Sequence, residues 1–384
     1  MVCAILGAGA AGLVCAIRLK QLAPQIQVIL LEKEPSPGRK LLATGNGRCN
    51  LSNQHAQFAD EAAQAIFEKN GVASILAFFK SLGLETVTDA EGRIYPMAMQ
   101  AAAVLQILTE AAKRLGVTLA TGTCVKAMRK ESGRFQITTE SDNAEVKKWA
   151  ADFAVVCCGG KAQKNLGSDG SGYALLKAFG HRITPLCPAL VQLKSPNKSC
   201  RALKGQRRKC LVSAECSGKV LKCEYGEVLF TDYGLSGIVI MDLSAVFARH
   251  SGEENAVVID LLPEMPEARI ARHFKEFGSL VGLLGVQLDR VMQKCSGQNA
   301  EKVAHICKNW RLPVTGTLGF DHAQITMGGA DLCAFHHGLE SKYEKNLFAA
   351  GEILNVQGSC GGFNLSWAFS SALTVAEEIA GRTK

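Results

Sequence analysis

The run Val2-Cys3-Ala4-Ile5-Leu6 passes directly into Gly7-Ala8-Gly9-Ala10-Ala11-Gly12, and this junction restricts the fold more than any other stretch of the chain. An uninterrupted apolar run ahead of turn glycines suits a strand buried on both faces of a parallel sheet. Leu13, Ala16, Ile17 and Leu19 then recur at helical spacing before Pro24, and a second apolar run, Ile26 to Leu31, ends in Glu32, twenty residues after Gly12. The order is strand, glycine turn, helix, strand, acid. In such a unit Gly7 permits the tight turn, Gly9 lets a pyrophosphate approach the backbone, and Gly12 lets the helix lie close to the strand. The helix start offers free N–H groups and a partial positive charge to phosphate, and Glu32 accepts from the hydroxyls of an adenosine ribose. The reading is a dinucleotide-binding βαβ unit.

Two further glycine segments choose the dinucleotide. Gly38 to Asn50 reads G-R-K-L-L-A-T-G-N-G-R-C-N, with three glycines, three cations and two asparagines in thirteen residues. Such a loop makes no core, but it can wrap an anion with backbone N–H groups and cationic side chains. Near the other end, Leu347 to Ala350 reads as a short strand running into Gly351-Glu352. Gly358 to Asn364 follows, and then a small-residue helix over Leu365 to Ala380. A second helix start is thereby available, and it suits the electron-rich edge of a reduced flavin, whose reduction potential it would raise. An arrangement with two ends fits FAD better than NAD. The 38 glycines among 384 residues, about a tenth, become in this light a map of where backbone meets ligand.

Composition removes other classes. Fifteen cysteines occur without a C-x-x-C pair or a Cys/His set at zinc spacing, so a disulfide scaffold, a metal site and a dithiol relay are not expected. With no secretory leader read, the thiols are expected to be reduced and the protein cytoplasmic. Val2 to Ile17 carries no charge but lacks a basic n-region and is too short to span a bilayer, so no membrane partner is expected. The net charge is +8, yet the basic residues are scattered. The densest cluster, Lys204, Arg207, Arg208 and Lys209, lacks interleaved aromatics, which disfavours nucleic acid as a partner. A single-nucleotide arrangement is also read from the lack of a second βαβ fingerprint. Gly167 to Gly172 is taken as a turn before a helix, so any NAD(P)H would dock transiently at the flavin face.

Four segments together resemble the BaiN/YhiN-like flavoproteins, a bacterial family often labelled NAD(P)/FAD-dependent or aminoacetone-oxidase-like. They are Gly38 to Asn50, I-T-M-G-G-A-D at Ile325 to Asp331, E-V-L-F-T-D-Y-G-L-S-G at Glu227 to Gly237, and G-E-I-L-N-V-Q-G-S-C-G-G-F-N from Gly351. The likeness runs in order over essentially the whole chain. It implies an α/β fold, a glutathione-reductase-like Rossmann FAD-binding domain with an inserted small β-barrel and helical segment. The FAD contacts it implies are Gly7, Gly9, Ala10 and Gly12 at the pyrophosphate, and Glu32 and Lys33 at the adenosine. Arg39, Lys40, Gly45, Asn46, Gly47, Arg48 and Asn50 would line the pyrophosphate and flavin side. Val125 would meet the adenine through its backbone, with Gly159 nearby, and Gly351, Glu352, Gly362, Phe363 and Asn364 would hold the ribityl chain and ring. Cys157-Cys158-Gly159-Gly160 departs from the A-T-G-G usual in related flavoproteins.

The middle of the chain reads compatibly. Ala120 to Thr139 alternates around Glu131-Ser132-Gly133, Phe153 to Cys158 is a buried strand, Val191 to Leu243 is strand-like, and Pro263 to Trp310 is helical. The expected organisation is 1–185 and 312–384 as a discontinuous FAD-binding domain, 186–262 as the barrel and 263–311 as the helical insert. Candidates for proton handling are Cys49 beside Arg48, Cys360 at a helix start, and Asp232 with Tyr233 in a turn. No catalytic acid or base is assigned among them. Tyr95 is read as packing, and His322, His336 and His337 as surface groups. The leading expectation is an FAD-dependent oxidoreductase that moves hydride between flavin and a small organic substrate, with NAD(P)H as transient donor. Alternatives are an oxygen-using amine oxidase, a flavin-bearing RNA- or ribosome-associated binder, and a thiol redox sensor.

Overall fold

β1 (Val2–Leu6) leads into α1 (Ala10–Leu22) and β2 (Gln27–Leu31), and β1 occupies the centre of a five-stranded parallel sheet in this computed structural model. The remaining strands are β3 (Thr118–Ala120), β4 (Phe153–Val156) and β5 (Leu347–Ala349), and the order across the sheet is β5-β4-β1-β2-β3. Residues 1–297 and 299–383 are described. Cys3, Ala4, Ile5 and Leu6 are fully buried, and so are Val28 and Leu30 of β2. That is why these strands read as continuous apolar runs rather than alternating ones. The chain leaves β1 toward β2 on one side and returns as β4 on the other. The crevice at the carboxyl end of β1 is therefore a topological switch point, where open α/β sheets take their ligands.

The C-terminal helix α2 (Phe363–Gly381) packs along α1, and its buried positions include Ser366, Ser370, Ser371 and Thr374. Small side chains let the two helices approach closely. A three-stranded antiparallel meander, Thr123–Glu131, Arg134–Ser141 and Val146–Ala151, belongs to the same unit. Its first turn uses Ser132 and Gly133, both at positive φ, as a two-residue hairpin turn requires.

The chain forms two compact units, Met1–Leu186 with Ile325–Lys384, and Cys187–Gln324. In the second unit a seven-stranded antiparallel sheet runs in the order Trp310–Val314, Asn255–Asp260, Arg207–Cys216, Lys219–Phe230, Gly234–Ser236, Leu193–Lys194, Gly316–Thr317. Its two edges are halves of the single stretch 310–317, so the sheet curls back on itself and the return to the first unit falls at Ile325, beyond the 312 read from sequence. Strands and helices here share one core, in which Val212, Phe230 and Ile259 meet Ile270, Met292 and Val303. One local reading is corrected: Ile238–Arg249 is a helix, although 238–243 looked strand-like. Its buried residues Val239, Ile240, Leu243, Ser244 and Phe247 follow the helical period, which prevails over the β-branched composition of its first turn.

His181 is expected to make stability depend on pH. Its ring is buried, stacks on Phe335 at 4.5 Å and shares a 2.8 Å hydrogen bond with the Ser341 hydroxyl. Burial pushes its pKa below the ordinary histidine value. The unfolded chain, with an imidazole pKa near about 6.5, binds a proton that the folded chain refuses, so stability falls as pH drops through that value. Denaturation midpoints measured at about pH 7.5 and about pH 5.5 are expected to show this loss, and His181→Gln to reduce it. An unchanged difference between the two pH values in the variant would refute the assignment.

Candidate functional site

The glycine turn is built by close backbone approaches. The Gly7 N–H donates to the Leu31 carbonyl at 2.7 Å. A Cβ on Gly12 would stand 1.9 Å from the Gly7 carbonyl oxygen, and one on Gly7 would stand 2.6 Å from that of Cys157. Gly9 differs, since a Cβ there would meet nothing within 4 Å. Gly9 also caps α1 without any side-chain bond, and no acid occupies the first helical turn. The helix start thus keeps its donors and faces open space. Glu32 closes the turn by accepting from the Ala8 N–H at 2.7 Å and the Glu34 N–H at 2.9 Å. Burial raises its carboxyl pKa, and the two backbone bonds oppose that rise. Lys33 pairs with Asp169 at 2.6 Å. Gly159 lies over the Ser168 hydroxyl, and Val125 is half-buried at a bulge of its strand.

The second loop is locally strained. Gly38, Gly45, Asn46, Gly47 and Cys49 all have positive φ, with Asn46 at 55° and Cys49 at 59°. Non-glycine residues seldom adopt this region except where surrounding structure imposes it, commonly at ligand clamps. Its cations are partnered within the unit. Arg39 pairs with Glu34 and donates to the Asn165 carbonyl, and Arg48 donates to the Gly45 carbonyl while covering the Tyr95 ring at 5.2 Å. Lys40 pairs with Glu352 at 2.7 Å, and the other Glu352 oxygen accepts from the Thr326 N–H at 2.8 Å. This ion pair ties the second loop to the far end of the chain.

At that end Gly362 caps α2 with φ 102°, and a Cβ there would lie 2.5 Å from the Ser52 carbonyl oxygen and 2.8 Å from Asn50 Oδ1. Asn364 folds back on its own loop, donating to the Gly358 carbonyl and accepting from the Gly358 N–H, both at 2.9 Å. It shapes the loop beside Phe363. Asn53 donates to the Gly361 carbonyl at 2.9 Å, and Gly351 sits against Ala11. Both chain ends therefore converge on one crevice. Its open face at Gly9 and its two helix starts fit a ligand with an anionic centre and an electron-rich ring.

The candidates for proton handling stand differently. Cys49 is fully buried, and burial pushes its thiol up to about 12, which disfavours the thiolate a proton-handling role would need. The arginine's charge is turned onto Tyr95 instead. Cys360 is partly buried in the Gly358 to Gly362 loop. Asp232 is exposed and held ionised by Lys204 at 2.7 Å, which lowers its pKa and makes it a poor acid. Tyr233, beside it in the second unit, gives its carbonyl to the Ser195 N–H at 2.9 Å. His322, His336 and His337 are exposed. Tyr173 was missed by sequence reasoning. Its hydroxyl is buried with no hydrogen-bond partner among the described residues, and its pKa is raised, first by burial and then by the charge of Glu352. A lone aromatic opening a short helix gave no signal of this. Of the basic cluster, Lys204 and Arg207 are in ion pairs, and Arg208 donates to the Leu261 and Leu283 carbonyls.

The chain is similar to known proteins over nearly its whole length. The family described as HI0933-like protein Rossmann domain matches residues 1–378. A 3-dehydro-bile acid delta(4,6)-reductase of Clostridium scindens is 35% identical over 411 residues, covering 98% of each chain. A ribosomal RNA dihydrouridine synthase of Haemophilus influenzae is 27% identical over 406 residues, again 98% of each. Among solved structures, the 3-ketosteroid delta1-dehydrogenase of Sterolibacterium denitrificans superposes with a TM-score of 0.53 at 12% identity, covering 99% of each chain. The E. coli quinol fumarate reductase FrdA superposes at 0.52 with 16% identity, covering all of this chain and 70% of that one. These two superpositions report the fold.

Proposed function

Because the chain belongs to the HI0933-like Rossmann family of FAD-binding oxidoreductases, we propose that it reduces a carbon–carbon double bond conjugated to a carbonyl in a small organic substrate. NAD(P)H serves in this reading as the transient source of electrons. The observation that carries it is the 35% identity, across 98% of both chains, to a protein named as a bile-acid delta(4,6)-reductase. The dihydrouridine synthase named at 27% identity also adds two hydrogens to a double bond beside a carbonyl, so the chemistry is common to both names although the substrates differ. The more similar of the two named relatives acts on a small molecule, which favours that class over RNA.

Bound FAD supplies the two-electron carrier. The chain's own groups bind and orient it. The α1 start and the open face of Gly9 take the pyrophosphate, and Glu32 holds the turn beside the adenosine. Lys40 and Glu352 fix the two loops against each other, and the α2 start faces the electron-rich edge of the ring. The net change consumes one NAD(P)H and one proton and converts the enone to its saturated ketone. The test begins with holoenzyme reduced anaerobically by NADPH and then mixed with a 3-oxo-4-ene steroid. Flavin bleaching followed by reoxidation, with loss of enone absorbance, is expected. No bleaching by NADPH, together with oxygen uptake on adding aminoacetone, would replace this reading by the amine oxidase.

A further inference from the structure

We infer that the Tyr95 hydroxyl is the proton donor to the substrate, giving its proton to the α-carbon of the enone as hydride arrives at the β-carbon. The inference deepens the reductase reading above and rests on it. Hydride alone would leave an anion, so the site needs a protic group whose polar atom is accessible and not already committed.

Tyr95 meets both conditions. The residue is only 5% exposed, yet its hydroxyl oxygen is not enclosed and takes no hydrogen bond from any described residue. Other protic groups near the two loops fail one condition. Burial pushes the Cys49 thiol up to about 12, the Tyr173 hydroxyl is enclosed, and Lys40 is committed to Glu352.

Its placement is rigid. Tyr95 belongs to the strand Arg93–Pro96, which pairs with Ser52–Asn53 on one side and Thr86–Thr88 on the other. Its ring edge lies 3.5 Å from where a Cβ on Gly45 would stand. Arg93, two residues back and so on the same strand face, lies 3.9 Å from the corresponding point on Gly361. One strand face therefore touches both glycine loops that the flavin reading assigns to the cofactor.

The charges around the phenol suit the loss of its proton. Burial works to lower the Arg93 pKa, but Asp89 and then the Tyr95 phenol raise it, which places this guanidinium within electrostatic reach of the hydroxyl. Arg93 is balanced by Asp89 at 2.7 Å and Glu91 at 2.9 Å, and His55 is exposed against the preceding Gly92. Arg48, over the ring at 5.2 Å, has no acid partner among the described residues. A phenolate formed here faces that uncompensated cation, which stabilises it. In the step, hydride brings two electrons to the β-carbon. The π pair of the carbon–carbon bond forms the new C–H bond at the α-carbon with the Tyr95 proton, and the phenolate recovers a proton from water. One hydride and one proton are consumed per enone, matching the net change above.

The test reduces holoenzyme anaerobically with one equivalent of dithionite, mixes it with a 3-oxo-4-ene steroid and follows flavin reoxidation. Binding of the same steroid to oxidised holoenzyme is read from the flavin spectrum, and FAD affinity from titration of apoprotein. Tyr95→Phe is expected to reoxidise about a hundredfold more slowly, while binding steroid and FAD within about threefold of wild type. Reoxidation within about threefold of wild type overturns the inference. So does a loss of rate matched by an equal loss of steroid or FAD binding, which would mark a packing role. Replacing Tyr95 by fluorotyrosine keeps the hydroxyl on a more acidic phenol, so the fall of the reoxidation rate at high pH should begin at lower pH. An unshifted profile overturns the inference, even if Tyr95→Phe does not fold. Wild type that the steroid binds but does not reoxidise refutes the reductase reading itself, and the inference with it.

Discussion

Gly12→Ala is expected to destabilise the protein by about 3 kcal/mol and to lower FAD affinity by more than about tenfold. The added methyl would stand 1.9 Å from the Gly7 carbonyl oxygen, a backbone atom that cannot rotate aside. Relief requires α1 to move away from β1, and that movement displaces the helix start from the pyrophosphate position. Gly9→Ala makes the complementary case. Its methyl would touch nothing within 4 Å, so stability should stay within about 0.5 kcal/mol of wild type. FAD affinity should nevertheless fall about tenfold or more, because the methyl occupies the space assigned to the phosphates. Urea denaturation of apoprotein and flavin titration measure the two effects separately. Wild-type FAD affinity in a folded Gly9→Ala protein would remove the pyrophosphate from this turn.

Trp367→Ala should destabilise the protein by about 3–5 kcal/mol. Trp367 is 1% exposed, its Nε1–H donates to the Gly351 carbonyl at 3.2 Å, and its ring meets Phe58 edge to face at 5.6 Å. The substitution opens a cavity and removes one of the two hydrogen bonds to the Gly351 carbonyl, which keeps only the Leu354 N–H at 3.2 Å. Trp367→Phe keeps most of the volume and should lose less, about 1–2 kcal/mol, chiefly the hydrogen bond. The Gly351 turn is held from three directions, by Trp367, by the Ser371 hydroxyl at 2.9 Å from its N–H, and by contact with Ala11. Loosening it should therefore weaken FAD as well. A denaturation midpoint for Trp367→Ala within experimental scatter of wild type would show that this contact does not anchor the C-terminal helix.

The parallel sheet was legible because its cause is local. Val2–Leu6 and residues 28–31 are apolar on both faces, and the glycines between them have backbone requirements that hardly depend on distant residues. The Gly38 to Asn50 segment was legible as tightly turned backbone for the same reason, since Gly38, Gly45 and Gly47 all take positive φ. Ile238–Arg249 was misread because β-branched composition resembles a strand until the buried face declares a helical period. What Cys49 does could not be read from its place beside Arg48, because sequence proximity says nothing of direction: the guanidinium turns onto Tyr95 while the thiol enters the core.

The sequence by itself determined the βαβ unit, the cofactor class and the pairing of glycine segments at opposite ends of the chain. Those follow from backbone sterics and hydrophobic period, which act between near neighbours. Only the tertiary structure decided which polar atoms stay unpaired. Lys40 meets Glu352 across 312 positions of chain, Ser52 meets Ser366, and the Asn50 side-chain oxygen packs against Gly362 with no hydrogen-bond partner among the described residues. Hydrogen-bond satisfaction is a property of a closed set of neighbours, and that set exists only once the two ends have folded together.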